Sequence, residues 1–249
     1  MEFRRLLPDP GTVDVHELLG TLRDLAADAA DDRPYTIANF IASADGRATI
    51  GGRSGPLGDD GDRAMFHGLR EQVDAVITGT VTLQTERYGR VLRKSERRER
   101  REALGLSPEP LAAVFTRSGH VPVEIPLFAV PDARIVVFTP KPADIASCAA
   151  QVETVILEPA ELTLTTAMRR LRNDYSIRTL LCEGGPTLFG ALLHERLIDE
   201  LFLTIAPKLA GGGRGPTITS GPELADPRGL RVKWLLERSG LMYLRYRVA

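Results

Sequence analysis

The spacing of apolar and polar positions divides the chain into strand-length and helix-length segments. Apolar runs rich in Val, Ile and Phe recur at "YTIANFIAS" (35–43), "DAVITG" (74–79), "LAAVFT" (111–116), "ARIVVFT" (133–139), "ETVILEP" (153–159) and "RTLLCEG" (178–184). Several are continuous rather than alternating, the pattern of strands covered on both faces. Between them the period lengthens to that of a helix. Over 59–72, Met65, Phe66 and Leu69 fall on one stripe, with Asp59 or Asp60 placed to cap it. Over 163–174, Leu164, Met168 and Leu171 do the same, and 186–197 opens with Pro186 at a first-turn position. This alternation predicts an α/β fold with a mainly parallel central sheet flanked by helices.

The last third changes character. Segments 199–209, 229–240 and 241–249 are strand-like with no helix between them, and Ser239-Gly240 reads as a hairpin turn. The sheet is therefore expected to end in an antiparallel C-terminal hairpin. Ahead of the first strand, residues 14–30 predict an amphipathic helix, which makes 1–34 an N-terminal extension and 35–249 the main domain. The run "RKSERRERREALG" (93–105) interleaves Arg with Glu and predicts a solvated helix.

Composition narrows the function classes. A chain of 249 residues that is 43% hydrophobic can bury a substantial core. Lys and Arg total 32 against 33 Asp and Glu, a balance that points away from nucleic acid or an anionic membrane as partner. No apolar run approaches the roughly 18 residues of a membrane span, and the N-terminus lacks a signal peptide's apolar stretch, so a soluble cytoplasmic protein is expected. Cys148 and Cys182 are too few and too far apart for a disulfide framework, and together with the histidines they show no metal-ligand spacing, so no metal is expected.

Candidate chemistry collects where strands end. In "LLCEGGPTLFGALL" (180–193) a carboxylate, Glu183, and two glycines, Gly184 and Gly185, stand between a buried strand and a helix. A helix N-terminus offers unpaired N–H groups and a positive dipole end, and glycines ahead of it let a phosphate approach the backbone. The spacing is equally that of a tight turn with Glu183 capping the helix. "ITGTVTLQTE" (77–86) places Thr78, Gly79, Thr80 and Thr82 after a strand, and "FTRSG" (115–119) exposes Arg117 and Ser118, a pair suited to a phosphate monoester such as the 2′-phosphate of NADP. Each is also an ordinary turn composition. No G-x-G-x-x-G, P-loop or G-x-S-x-G pattern occurs. "FIASADGRATIGGRSG" (40–55) adds Asp45 and Ser54, and His67 and Arg70 lie near one face of the helix at 59–72.

Taken together, "ASADGRATIGGRSG", "DRAMFHGLREQVDAVITGTVT", "VFTRSG" and "LLCEGGPTLFGALLHERLIDELFLTIAPKLAGG", followed by the closing hairpin, resemble the reductase domain at the C-terminus of the bacterial bifunctional riboflavin-pathway deaminase-reductase, in the dihydrofolate-reductase-like superfamily. The resemblance spans about 35–249. It implies an NADPH-dependent reduction of a phosphoribosylamino pyrimidine to its ribitylamino product, with a small-molecule substrate and a homodimer. Motif by motif, it implies cofactor contacts from Ile41, Thr78, Gly79, Thr82, Glu86, Arg117 and Ser118 and from Gly184, Gly185, Pro186, Thr187 and Leu188 onward to Ala191. It implies substrate contacts from Ser54, Arg70 and Glu183, with Glu183 and Asp45 as candidate catalytic acids. Two departures stand out. The deaminase zinc signature is absent, so the chain is not expected to be bifunctional. Where the family reads close to D-P-x-L-T-x-R, this chain reads "ERYGRVLR" (86–93), with Arg90 or Arg93 able to replace the family arginine. That leaves a pterin or dihydrofolate-like substrate open, and also a nucleotide-binding protein without turnover.

Overall fold

A computed structural model describes residues 1–212 and 215–249. Its strands are β1 (Glu2–Leu7), β2 (Gly11–Asp14), β3 (Tyr35–Ser43), β4 (Ala75–Gly79), β5 (Leu111–Phe115), β6 (Arg134–Thr139), β7 (Gln151–Ile156), β8 (Thr179–Cys182), β9 (Glu200–Ala206), β10 (Leu230–Arg238) and β11 (Leu241–Val248). The α-helices are α1 (Val15–Gly20), α2 (Asp60–Gln72), α3 (Thr80–Thr85), α4 (Ser95–Ala103), α5 (Leu164–Asp174) and α6 (Pro186–His194). They form two compact units, the first from Met1–Asp24, Thr36–Leu69 and Cys182–Ala249, the second from Leu25–Tyr35 and Arg70–Leu181.

In the second unit the strand order is β8-β4-β5-β6-β7, with β4 to β7 all parallel. The continuous apolar runs behave as their pattern requires: every residue of β5 is buried, as are five of the six in β6. Thr163 caps α5, its hydroxyl accepting from Thr166 N at 3.1 Å, and Leu164, Ala167, Met168 and Leu171 form the buried stripe.

The charge run differs from its expectation. Residues 95–103 are helical, but the helix is not solvated all round, because Arg101 is only 1% exposed. Its Nη1 donates to the carbonyls of Arg70 (3.2 Å), Glu71 (3.0 Å) and Val73 (2.7 Å), and its Nε to Ser107 O at 2.8 Å. Arg101 thus satisfies carbonyls left over at the C-terminus of α2, where a cation is also favoured by the dipole. Burial lowers its pKa to about 10, which leaves it protonated at neutral pH. Glu71 receives Arg97 and Arg100 beside it.

In the first unit the order is β2-β1-β10-β11-β9-β3. Only β3 and β9 pair parallel, and the remaining pairs are antiparallel. The β10–β11 turn has Ser239 at φ 52° and Gly240 at φ 82°, the two positive values of a type I′ hairpin. Glu200 and Arg245 tie β9 to β11 by a buried two-point ion pair of 2.7 and 2.9 Å. The sequence gives no hint of β1 and β2. Residues 14–30 are not one helix: α1 ends at Gly20 and a 3₁₀ segment follows over Thr21–Asp28. Phe3 anchors β1, packing edge-on against Tyr243 with ring centroids 4.9 Å apart.

The N-terminus of α2 belongs to this unit and concentrates acid. Asp59 Oδ1 accepts from Asp62 N at 2.9 Å, as a cap does, and Asp59 also accepts from Tyr243 Oη (3.0 Å) and Arg238 Nη1 (2.9 Å). Burial raises Asp62 to about 6, reinforced by the Asp59 charge and opposed by a hydrogen bond with Thr204 and by the Arg63 charge. A carboxyl raised in the folded state costs nothing well below its unfolded value of 3.8, costs more as pH climbs from there, and costs its full amount above about 6. Asp62→Asn should therefore raise the unfolding free energy by about 1–2 kcal/mol at pH 8, after discounting for solvent, and by close to nothing at about pH 3, below the unfolded value. Thermal melts at the two pH values check this, and equal shifts at both would show that the carboxyl's charge is not the cause.

Candidate functional site

Glu183 directly follows β8 and is buried at 8% exposure. Gly184 comes next at φ +95°, a conformation that side chains resist, and a Cβ there would lie 3.1 Å from Phe40 Cε1. The Gly184–Gly185 peptide is cis. Gly185 takes the N-cap position of α6 and Pro186 the first turn, with Phe189 N bonded back to Gly185 O at 3.0 Å. The N-cap is thus two residues past Glu183 and has no side chain. Phe40, from the half-buried middle of β3, packs on Phe189 at 4.6 Å between centroids and backs the turn. The preceding thiol, Cys182, is pushed by burial up to about 12, so it is no thiolate nucleophile at neutral pH.

The same unit carries Ile41, Asp45 and Ser54. Ile41 is half-buried on β3, paired with Thr204 of β9. Asp45 lies just past β3. Its Oδ1 accepts from Ser43 Oγ (2.5 Å) and Ala210 N (3.0 Å), and its Oδ2 from Gly211 N (2.8 Å). These bonds hold its pKa at about 2, chiefly through Ser43, so it is an ionised acceptor across the neutral range. Ser54 begins a turn closed by Leu57 N on Ser54 O at 2.9 Å.

The second unit carries the other candidates. The β4–β5 register pairs Gly79 with Phe115, so Thr78 and Gly79 stand at the same carboxyl end of parallel strands as Arg117 and Ser118. Gly79 is the N-cap of α3, an element the sequence reading missed, which places Thr82 half-buried on the helix and Glu86 exposed at its C-cap. Arg117 is exposed, and Ser118 Oγ accepts from His120 N at 3.2 Å. Arg70 is buried, its Nη1 donating to Val91 O at 2.8 Å and its guanidinium 5.3 Å from the Tyr88 ring centroid. Arg90 is engaged by Glu109 and Asp132, so it braces the 86–93 stretch. Among the described residues no cluster of His, Cys, Asp and Glu could hold a metal ion, and no helix is long and apolar enough to cross a membrane.

Residues 34–239 match the RibD C-terminal domain family. The chain belongs to that family. The matched range contains every candidate residue from Ile41 to Leu188 and leaves β1, β2 and β11 outside. This RibD-family chain is 27% identical over 192 residues to the 2,5-diamino-6-ribosylamino-4(3H)-pyrimidinone 5′-phosphate reductase of Archaeoglobus fulgidus, covering 76% of this chain and 87% of that one. It is 31% identical over 214 residues to the riboflavin biosynthesis protein RibD of Escherichia coli, where it spans 56% of the longer protein. A crystal structure of a pyrimidine reductase-like protein from Corynebacterium diphtheriae superposes with a TM-score of 0.76 at 25% identity, covering 95% of this chain and 99% of that one. A RibD-type reductase fold therefore supports the parallel strands and the antiparallel C-terminal hairpin expected of the sequence. Phe40, packed on the Gly184 turn, is the neighbour that sequence reasoning passed over, and an aromatic in the middle of an apolar strand was the available signal for it.

Proposed function

We propose that the chain is an NADPH-dependent reductase of riboflavin biosynthesis that converts a phosphorylated ribosylamino pyrimidine to its ribitylamino form. The observation that carries this reading is a buried acid, Glu183, followed by a glycine at positive φ and an N-cap without a side chain, in a chain of the RibD family. A helix N-terminus free of side-chain bulk suits the cofactor diphosphate, with Gly185 to Leu188 holding it. NADPH, when bound, supplies the hydride. Glu183 accepts hydrogen bonds from the ribose hydroxyls and orients the sugar, and Ser54 belongs to the substrate side. Arg70 contributes through the 88–91 stretch that it fixes. Asp45, already ionised and fully engaged, is assigned to loop positioning rather than proton donation. Thr78, Gly79, Thr82 and Glu86 line the cofactor, and Arg117 and Ser118 read its adenosine phosphate.

The test follows NADPH absorbance with the 2,5-diamino pyrimidinone phosphate, with its deaminated uracil counterpart and with dihydrofolate. Consumption with either pyrimidine is expected. Turnover of dihydrofolate alone would replace this reading with the pterin one, and NADPH binding without turnover of any would leave a nucleotide-binding protein. For cofactor choice, wild type should bind NADPH more tightly than NADH, and Arg117→Ala should lose about tenfold in NADPH affinity, or about 1.4 kcal/mol, the size of one exposed charge-assisted phosphate contact. NADH affinity should stay put. Equal dissociation constants for the two cofactors in wild type would remove Arg117 and Ser118 from the site.

A further inference from the structure

The described residues of the β9–β10 connection, 207–212 and 215–229, contain no helix or strand, yet they are fastened at both ends to segments that carry candidate site residues. Long unstructured connections in compact proteins are generally functional or disordered. At its start, Ala210 N and Gly211 N bond the Asp45 carboxylate, and Lys208 Nζ donates to Pro56 O at 2.6 Å, two residues past Ser54. Further on, Ala48 N donates to Pro216 O at 2.8 Å. At its end the connection meets α6. Ser220 N donates to Pro186 O at 3.1 Å, Ser220 Oγ lies 3.1 Å from Thr187 Oγ1, and the His194 ring bonds Pro222 O at 2.9 Å. Gly190 makes this approach possible. A Cβ at Gly190 would stand 2.1 Å from Ser220 O, a backbone atom that cannot yield as a side chain would. Glycine in a helix costs about 1 kcal/mol against alanine, so a close approach of this kind explains its presence.

We propose that this connection is a positioning strap for the reaction, joining the Asp45–Leu57 loop to the Glu183–Leu188 turn, with Asp45 and Gly190 as the seats of its two ends. The inference rests on the reductase reading above. Substrate held by the loop and cofactor held by the turn are then registered against each other through one piece of chain. Small misplacements of two reacting groups act on the rate of the bound complex more than on either binding step. Asp45 acts through the strap, not on the reacting atoms.

The test uses Asp45→Ala, Asp45→Asn, Gly190→Ala and the double variant Asp45→Ala/Gly190→Ala in the full chain. In Asp45→Ala, amide hydrogen exchange should rise at 219–222 and at 185–190, although Asp45 bonds neither segment, while β6 and β7 stay unchanged. With the accepted pyrimidine, kcat should fall roughly tenfold with both KM values within about threefold. Asp45→Asn, whose amide oxygen still accepts from Ala210, should recover most of that loss. The double variant should lose well short of the product of the single losses, since both seats serve one strap. Unchanged exchange at 185–190, multiplying losses, or Asp45→Asn as slow as Asp45→Ala would each overturn the proposal, the last by pointing to a role for the charge itself. If wild type turns over neither pyrimidine, the reductase reading falls, and the exchange measurement alone then decides whether the strap exists.

Discussion

Glu183→Gln should bind NADPH as tightly as wild type and lose about two- to thirtyfold in kcat/KM for its pyrimidine. Glutamine keeps the size of the side chain and one accepting oxygen but loses the charge. Hydrogen bonds to a charged group contribute about 1.5–3 kcal/mol against about 1 for neutral ones, and the carboxylate is buried, so solvent does not dilute the difference. That difference of about 0.5–2 kcal/mol is roughly two- to thirtyfold in rate. The split between parameters carries the argument. If the acid holds the sugar most strongly as the ring-opened, reducible form develops, kcat falls with kcat/KM; if it grips substrate and transition state alike, KM rises alone. Steady-state kinetics, NADPH titration and a thermal melt on the same preparation separate these. An unchanged kcat/KM with a lowered melting temperature would make Glu183 a structural residue of the turn and remove it from the site.

The largest effect on stability is expected at Arg101. Arg101→Met keeps much of the side chain's length and removes every hydrogen bond of the guanidinium. Three buried carbonyls, those of Arg70, Glu71 and Val73, lose a donor, and the more accessible carbonyl of Ser107 loses the Nε bond. Stranding these buried acceptors should cost about 3–5 kcal/mol, or roughly 6–20 °C in melting temperature for a chain of this size. Arg101→Lys should recover little, because an ammonium on a flexible stem cannot reach a fork of carbonyls as a planar guanidinium does. Melting within about 1 kcal/mol of wild type for Arg101→Met would mean that the run at 95–103 is a surface helix after all.

These two residues mark what the sequence could and could not say. The second unit's strands were legible because their burial on both faces needs continuous apolar runs, and "LAAVF" and "RIVVF" have no other use. The hairpin was legible because Ser239-Gly240 must supply two positive φ angles. The glycines before α6 announced a turn by composition alone. Arg101 was illegible because its burial depends on carbonyls some thirty positions upstream, and the alternating charges around it imitate a solvated face. Asp45 was half legible: Asp-Gly gives the turn, but the amides of Ala210 and Gly211 that occupy its carboxylate are remote in sequence. α3 was hidden by its length of six residues and its threonines, poor helix formers that neither periodicity nor propensity would select.

The pairing of β1 with β10 bears on how the chain comes to be folded as it leaves the ribosome. Glu2–Leu7 pairs with Leu235–Glu237, so the partner of β1 is made only after a stretch such as the 233 positions that separate Arg4 from Glu237. The second unit, drawn almost wholly from 70–181, has all its strands in hand well before that. Contacts so distant in sequence form slowly, and edge strands left open meanwhile are templates for pairing with other chains. Phe3, β1 and β2 therefore wait unsheltered until β10 is made, and the basic pair Arg4 and Arg5 beside Phe3 keeps that waiting edge charged meanwhile.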